Sequence, residues 1–496
     1  MSNPIIYALQ AVFQPMNFLL MVAGAAIGIV FGAVPGLTAT LAIALLIPFT
    51  MNLDAIPALL LLLAIYCGGM YGGSITAITI RTPCTPAAAA TVLDGYPLAQ
   101  KGQAGKAVGA ALIASTFGGL VSAIIMIFLS PPLARFALAF SPAEYAAVGI
   151  FGLTAVFSVS GQSLLKGAIS AVFGLLLSTV GLDPILPVPR FSFGSLALAG
   201  GIPFLPAVIG FFAMAEVFRL AGTPNRKQVV IKSIGRVWPT IDELKRILKT
   251  AVRGSLIGTW VGILPGAGGT IAAYMAYGEE RRSSKHPELY GTGIIEGVAA
   301  PESANNAVSG GAMIPMLTLG IPGDAVTAVL LGALTIQGLQ PGPMLFKDHV
   351  DVIYPIFAGM ILANLIMFVV GFILIKPVTY IATIRKEYLV SAVAVFAVIG
   401  AFAESGSTLQ VMFAVGFGVL GYFMEKYGFP VAPVVLSLIL GPMIENALRQ
   451  ALIISHGSWG IFVTRPISAG LLLVSLGIIV AMVRRQLKDR SCGRAE

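Results

Sequence analysis

Charged side chains are scarce in this sequence of 496 residues. Asp, Glu, Lys and Arg together make up 10% of the chain, whereas a soluble domain carries about a quarter of such residues. The first 80 residues contain a single charged side chain, Asp54. A water-facing surface cannot be built from this set, and a soluble globular protein is therefore excluded.

Cysteine and histidine are scarce as well. The three cysteines, Cys67, Cys84 and Cys492, are too few and too scattered for a disulfide framework. The three histidines are dispersed, so no metal cluster is predicted. Zinc-protease, nucleophile-elbow and Walker motifs are missing. The sequence therefore indicates no enzyme, no cofactor and no ATP-driven pump.

Apolar residues make up 57% of the chain, and many stand in runs long enough to span a bilayer. Examples are Phe18–Val34, Ala107–Leu129, Ile353–Ile375 and Ile467–Val483. The chain has a net charge of +9, and its basic residues stand in loops and tails. Basic residues in such places set the orientation of membrane insertion, so the charge does not indicate nucleic-acid binding. We predict an all-α polytopic membrane protein with about 10–12 transmembrane helices.

One Gly- and Pro-containing string occurs twice, about 230 residues apart. The first copy is Gly28–Thr40, with Pro35-Gly36 at its centre, and the second is Gly258–Thr270, with Pro265-Gly266. Pro removes a backbone donor and Gly relaxes the backbone, so each copy is expected to break a membrane helix. Paired helix breaks in two apolar halves point to the central site of a transporter.

A second matched pair strengthens the duplication. Gly72–Thr85 aligns with Gly311–Asp324, and in this alignment Thr79 matches Thr318 and Pro83 matches Pro322. The sequence therefore predicts two internal repeats with Pro-Gly-broken or re-entrant helices. Broken-helix carriers favour inverted topology for such repeats, although parallel repeats stay an alternative.

A basic connection separates the two halves. It is rich in Lys and Arg, which places it in the cytoplasm. Thr240 and Glu243 fit a capping box that starts an apolar stripe, so the stripe is either a short amphipathic helix on the membrane surface or an ordinary entry to the next span. We predict a first transmembrane repeat at 1–222, a cytoplasmic linker with a short amphipathic helix at 223–253, and a second repeat at 254–496.

Unwound backbone inside a membrane survives only where it faces a cavity, an ion or a substrate. Exposed helix N-termini attract carboxylates, and freed carbonyl groups suit Na⁺. The alternative is that the glycines only let helices approach closely, as Gly24, Gly28 and Gly32 do by their spacing. Packing alone does not explain a Pro-Gly followed by Thr in both halves.

Three polar features near the breaks have alternative interpretations. Arg81 either pairs with an anionic substrate or ends a span and reaches water. Asp324 is either a cation ligand or a helix N-cap. Asn305 and Asn306 either bind ligand or belong to a capped helix start on a loop. The candidate substrate- and ion-binding residues are Pro35, Gly36, Thr38, Thr40, Thr79, Arg81, Thr82, Pro83, Pro265, Gly266, Gly268, Gly269, Thr270, Asn305, Asn306, Thr318, Pro322, Gly323 and Asp324.

These strings resemble the large membrane subunit of the tripartite tricarboxylate transporter family. The resemblance runs in collinear order from about Gly24 to Ser458. The matching segments are Gly28–Thr40, Tyr71–Ser74, Leu93–Pro97, Leu264–Gly268, Gly297–Asn306 and Met316–Gly323.

The resemblance implies a multi-pass protein of the bacterial inner membrane that imports citrate-like or other carboxylates. It implies two protein partners, a small four-helix membrane subunit and a periplasmic solute-binding protein, and coupling to Na⁺ or H⁺. The alternatives are a self-sufficient ion-coupled carboxylate carrier and a ligand-binding membrane scaffold or sensor.

The first break departs from the family pattern. Members commonly have an Asn before x-Pro-Gly, where this chain has Arg81-Thr82-Pro83-Cys84. The change adds a positive charge and removes backbone freedom. The identity of the carboxylate is therefore left open by the resemblance.

Overall fold

The computed structural model describes residues 3–159, 163–183, 185–186, 188–222, 235–381, 386–403 and 405–492. Residues 223–234 of the predicted linker lie outside this part of the chain. The described residues form 22 α-helices and one small β-hairpin.

Eleven helices precede the linker. The kinked connection between the fifth and sixth is a π-helical segment, Ala99–Gln103, in which Gly102 has a φ of 77°. A 3₁₀ turn, Pro86–Ala88, leads into the fifth helix. The helices are α1 Pro4–Phe13, α2 Pro15–Ala33, α3 Ala39–Thr50, α4 Ala55–Ile80, α5 Ala89–Leu98, α6 Ala104–Ala137, α7 Pro142–Val159, α8 Leu164–Ser178, α9 Leu196–Ala199, α10 Phe204–Val208 and α11 Ala215–Ala221.

Eleven helices follow the linker. They are α12 Ile241–Ile263, α13 Gly268–Ser283, α14 Glu296–Leu319, α15 Ala325–Ile336, α16 Pro343–Asp348, α17 Val350–Ile381, α18 Lys386–Ala403, α19 Thr408–Lys426, α20 Ala432–Ile454, α21 Ile461–Thr464 and α22 Pro466–Cys492. The hairpin pairs β1, Gly181–Leu182, with β2, Pro189–Arg190, in antiparallel register.

The prediction of an all-α polytopic membrane protein is confirmed. Eight described helical segments are long and apolar enough to cross a membrane, and six shorter apolar helices of 10–17 residues accompany them. One of the eight, Phe204–Ala221, consists of α10, a π-helical turn and α11 without a break. The four apolar runs noted above lie almost entirely within α2, α6, α17 and α22. The expected ten to twelve crossings are reached only if some of the shorter helices also span the bilayer.

Corresponding helices of the two halves make corresponding contacts. Helix α2 packs on α4 and α12 packs on α14, while α17 lies against α4 and α2, and α6 lies against α14 and α12. In the pairs α2–α4 and α12–α14, the contact is made by small residues that recur every four positions. A Cβ atom added to Gly28 would lie 2.3 Å from the carbonyl oxygen of Ile65, and one added to Gly258 would lie 2.1 Å from that of Ala304. The predicted packing role of these glycines is confirmed.

The apolar stripe of the linker belongs to the entry of a span. The Thr240–Glu243 capping box is present and starts α12, which then continues without interruption to Ile263. The predicted boundary at 253/254 therefore falls inside a helix, and no separate amphipathic helix precedes α12 within residues 235–263. The reason is that no Pro or other helix breaker separates the stripe from the small residues that pack on α14.

Candidate functional site

The first Pro-Gly element joins α2 to α3. The helix ends at Ala33, and Gly36 has a φ of 92°, a value that residues with a Cβ rarely adopt. Thr38 then caps α3 by accepting a hydrogen bond from the N–H of Leu41 at 3.2 Å, and Thr40 is buried in the first turn. Gly36 lies against Glu216 and Leu220 of α11.

The second Pro-Gly element joins α12 to α13 in the same way. Pro265 is buried and Gly266 has a φ of 79°. The N–H of Gly266 donates to the carbonyl oxygen of Gly323 at 2.8 Å. Gly268, Gly269 and Thr270 form the first turn of α13. The two broken segments of the second half are therefore joined directly through their backbones.

The breaks after α4 and α14 correspond residue by residue. Arg81 and Gly320 both end their helices in the left-handed conformation, with φ of 56° and 71°. Thr85 and Asp324 both act as N-caps of the segment that follows, accepting from the N–H groups of Ala88 and Thr327. Pro322 and Gly323 are buried, whereas Pro83 is exposed.

Both Pro-Gly elements reach neighbouring residues of α4. A Cβ added to Gly69 would lie 2.5 Å from Cβ of Ala39, at the start of α3. A Cβ added to Gly269, at the start of α13, would lie 2.5 Å from Oδ1 of Asn305 and 3.3 Å from Cε of Met70. The same atom would lie 3.2 Å from Cβ of Ala87, in the 3₁₀ turn that starts α5. We call this meeting point of Gly69, Met70, Gly269 and Asn305 the α4–α13 junction.

Asp324 adjoins the α4–α13 junction and connects the two halves. A Cβ added to Gly268 would lie 3.9 Å from Cβ of Asp324. Oδ2 of Asp324 accepts a hydrogen bond of 2.6 Å from the hydroxyl of Tyr66 on α4. Oδ1 accepts from the N–H and the hydroxyl of Thr327, at 2.8 and 2.7 Å. Asp324 is thus an N-cap of α15, and its second oxygen is held by the other half of the chain.

Asn305 and Asn306 lie inside α14 and are buried, which excludes the alternative of a capped helix start on a loop. The side-chain amide of Asn305 donates to the carbonyl oxygen of Met70 at 3.0 Å. Oδ1 of Asn305 and both polar atoms of the Asn306 side chain have no hydrogen-bond partner among the described residues. Buried amide atoms without partners are costly, so they indicate a place where a ligand, ion or water supplies the missing bonds.

Four other candidate residues lie outside this arrangement. Thr79 and Thr318 are buried and donate to carbonyl oxygens of their own helices, those of Ile75 and Ile314, each at 2.7 Å. Thr82 donates to the carbonyl oxygen of Ile80. Arg81 is exposed because α4 ends at Ile80, and its guanidinium lies 5.6 Å from the ring centre of Tyr96. The structure therefore places Arg81 at the end of a helix and in contact with an aromatic face.

The sequence interpretation missed Tyr66 and did not include Thr85 among the candidate residues. The offset of the second matched pair aligns Tyr66 with Asn305 and Thr85 with Asp324, so the same alignment contained the signal. Asp94 was noted only as part of a family string. It is fully buried and accepts from the hydroxyl of Tyr277 at 2.9 Å and from the N–H of Gly293 at 2.7 Å, which ties α5 to the loop before α14.

Three helical segments begin close to the α4–α13 junction. The N-terminus of α13 and that of the 3₁₀ turn before α5 meet at the α4–α13 junction, and α15 begins at the adjoining Asp324. Helix N-termini carry partial positive charge and free N–H donors. The negative charge nearest to these termini, on Asp324, is already bonded to Tyr66 and Thr327. Three helical segments therefore begin around the junction, and one of them carries the buried acidic cap Asp324.

Broken helices that meet inside an all-α membrane bundle define the class of polytopic membrane transporters. The model of the tripartite tricarboxylate transporter TctA family matches residues 18–436. The chain belongs to this family of membrane transporters.

Two proteins of Agrobacterium vitis are similar to this chain. One is named "Uncharacterized 52.8 kDa protein in TAR-I ttuC' 3'region" and is 37% identical over 481 residues, covering 97% of this chain and 96% of the relative. The other is named "Uncharacterized protein in TAR-II ttuC' 3'region" and is 37% identical over 233 residues, covering 47% of this chain and 96% of the relative. Neither name states an activity.

Proposed function

We propose that this protein is the translocation subunit of a binding-protein-dependent secondary transporter that imports tricarboxylates or related carboxylates across a bacterial inner membrane. An ion gradient, of Na⁺ or H⁺, drives the import. The partners are a small four-helix membrane subunit and a periplasmic solute-binding protein. The kinship with the TctA family supports this assembly.

One observation carries the proposal for the site. The N-terminus of α13 meets α4 and α14 at the buried Asn305, whose Oδ1 lacks a partner among the described residues, and Asp324 lies alongside. A substrate carboxylate would receive backbone N–H groups of Gly269 and Thr270 and the amide groups of Asn305 and Asn306. A Na⁺ ion would use the oxygen atoms of Asn305 and Asp324.

We further propose that 1–222 and 254–496 are two repeats, joined at 223–253, with inverted topology. The equivalent pairs α2–α4 and α12–α14, the two left-handed caps and the two N-caps support the duplication. Inversion places the loops after α3 and α13 on opposite sides of the membrane. In a background without Cys67, Cys84 and Cys492, single cysteines at the exposed positions Asn52 and Lys285 should react with impermeant reagents from opposite sides. Labelling of both positions from one side would show parallel repeats.

The function is tested by reconstituting the complete three-protein system in liposomes and measuring counterflow of labelled citrate. Before this, the purified binding protein is screened against carboxylates, so that the best ligand can be used in place of citrate. We expect counterflow that Pro35→Leu and Pro265→Leu abolish, although both variants insert normally. Full transport in these variants would exclude the Pro-Gly elements from the site.

Two further outcomes separate the alternatives. Uptake by this chain alone would indicate a self-sufficient carrier. Ligand binding without counterflow would indicate a scaffold or sensor.

A further inference from the structure

Glu302, on α14, is a buried carboxyl group whose hydrogen-bond partners are all neutral. None of its surface is exposed. Oε1 accepts from the hydroxyl of Thr91 on α5 at 2.5 Å, and Oε2 accepts from the hydroxyl of Ser115 on α6 at 3.1 Å. No Lys, Arg or His of the described residues forms an ion pair with it.

The neighbouring charged groups are engaged elsewhere. On α5, Asp94 is bound by Tyr277 and by backbone N–H groups. Three cations on the helices packed against α14 have acidic partners. These pairs are Lys106–Glu243, Arg246–Glu296 and Arg253–Glu280. The charges on Lys347 and Asp348 of α16 are exposed. An ionised Glu302 would thus have only two hydroxyl donors for its charge.

The same surroundings satisfy both protonation states of the carboxyl group. A hydroxyl both donates and accepts. With Glu302 ionised, Thr91 and Ser115 donate to its two oxygens. With Glu302 protonated, one of these hydroxyls rotates and accepts the carboxyl proton. A buried unpaired charge is strongly disfavoured, and this favours the protonated state of Glu302. Because only a hydroxyl group has to rotate, the change of protonation state requires no rearrangement of the helices.

Two short routes through neighbouring residues connect Glu302 with the α4–α13 junction. Asn305 and Asn306 follow it by three and four residues, which places them on the same face of α14, one turn away. The second route runs through Tyr71 on α4, whose buried hydroxyl lacks a hydrogen-bond partner among the described residues and lies within electrostatic reach of Glu302. Tyr71 follows Met70, the residue whose carbonyl oxygen binds Asn305.

We propose that Glu302 is the proton-binding group of this carrier, so that H⁺ is the coupling ion. The carboxylate of Glu302 takes a proton from water on the outer side and becomes a neutral acid when the carrier is loaded. It returns that proton to water on the inner side after the substrate has left. This inference rests on the proposed transport function, and the experiment separates the two.

The experiment compares the wild type with Glu302→Gln in liposomes that hold the complete system, with labelled citrate as the probe. Glu288→Gln, at an exposed position, is the matched control. In the wild type, a pH gradient that is alkaline inside should drive accumulation without Na⁺. Glu302→Gln should lower this accumulation at least tenfold and keep counterflow. Equal accumulation in Glu302→Gln and wild type, or accumulation that only a Na⁺ gradient drives, would overturn the proposal.

A second measurement does not depend on transport. Infrared difference spectra of the purified complex at high and low pH should contain a carboxylic-acid band that Glu302→Gln removes and Glu288→Gln retains. Thr91→Val removes one donor to the ionised form and should move the midpoint of this band to higher pH. Absence of the Glu302 band, or an unchanged midpoint in Thr91→Val, contradicts the proposal. Absence of counterflow in the wild type contradicts the transport function instead, and the spectra then decide the proton site alone.

Discussion

The hydroxyl of Tyr66 donates a 2.6 Å hydrogen bond to Oδ2 of Asp324, although the two residues lie 258 positions apart. Both groups are buried, so the bond joins α4 of the first half to the break before α15 in the second. A movement that separates α4 from the start of α15 would therefore have to break this bond.

Tyr66→Phe should therefore leave a buried carboxylate oxygen without its donor. We expect a loss of about 1–3 kcal/mol in the free energy of unfolding, because a buried polar atom without a partner costs about this amount. The thermal midpoint of the protein in detergent measures the loss, and citrate counterflow should fall with it. Tyr274→Phe, on the exposed part of α13, is the matched control. Equal midpoints for the two variants would show that the bond to Asp324 adds no stability.

The close approach of Gly269 to Asn305 predicts a loss of transport on adding one methyl group. In Gly269→Ala, the new Cβ would lie 2.5 Å from Oδ1 of Asn305, so the first turn of α13 must shift. We expect counterflow to fall at least tenfold. Gly278→Ala lies on the same helix with open space around the added atom, and it should leave counterflow unchanged. A tolerated Gly269→Ala would mean that the junction can open without loss of function.

Arg81 combines a strained backbone with an exposed positive charge. Its φ of 56° costs a residue with a Cβ about 1 kcal/mol, and Asn adopts this conformation more readily. Arg81→Asn should thus raise the free energy of unfolding by up to about 1 kcal/mol. If Arg81 attracts the substrate, the same variant should raise the KM for citrate about tenfold, whereas Lys101→Asn should not. An unchanged KM would show that Arg81 does not attract the substrate.

The hairpin outside the helices predicts a pH dependence of stability. The N–H groups of Leu186 and Ile185, aided by Arg449 and opposed by partial burial, lower the pKa of Asp183 to about 2. The ordinary pKa of Asp is about 3.9. Because the folded pKa is the lower one, the contribution of Asp183 to stability is complete above about pH 4 and is lost as the pH falls toward 2.

Asp183→Asn should consequently lower the thermal midpoint at pH 6. The difference from the wild type should shrink as the pH falls to about 2, where about half of the Asp183 carboxylate of the folded protein is protonated. Asp54→Asn, at an exposed helix start, serves as the control. A difference that is constant from pH 6 to pH 2 would show that ionisation of Asp183 does not stabilise the hairpin.

Local chemistry was predictable because it depends on neighbours in the chain. The scarcity of charge required a membrane protein, Pro35-Gly36 and Pro265-Gly266 required helix breaks, and the Thr240–Glu243 spacing required a cap. The alignment of the two breaks matched Thr79 with Thr318, and the structure shows that the residues two positions further on, Arg81 and Gly320, both adopt the left-handed conformation.

Which break meets which partner depended on tertiary packing. Gly36 faces α11 and Gly266 binds Gly323, and nothing in the two nearly equal strings distinguishes them. The partners of Asp324 and Asn305, which are Tyr66 and Met70, lie more than 230 positions away. A contact across such a distance follows from the way whole helices pack, and residue type alone does not encode it.

The sequence by itself determined that this chain crosses a membrane as helices, breaks them at Pro-Gly and resembles the tripartite tricarboxylate transporter family. The tertiary structure decided that α13 starts against α4 and α14, that Arg81 is exposed, and that Glu302 is buried among hydroxyl groups. The physical reason is the distance along the chain over which each property is determined. Backbone conformation and hydropathy are properties of short segments, whereas burial and hydrogen-bond partners are fixed only when all helices are packed together.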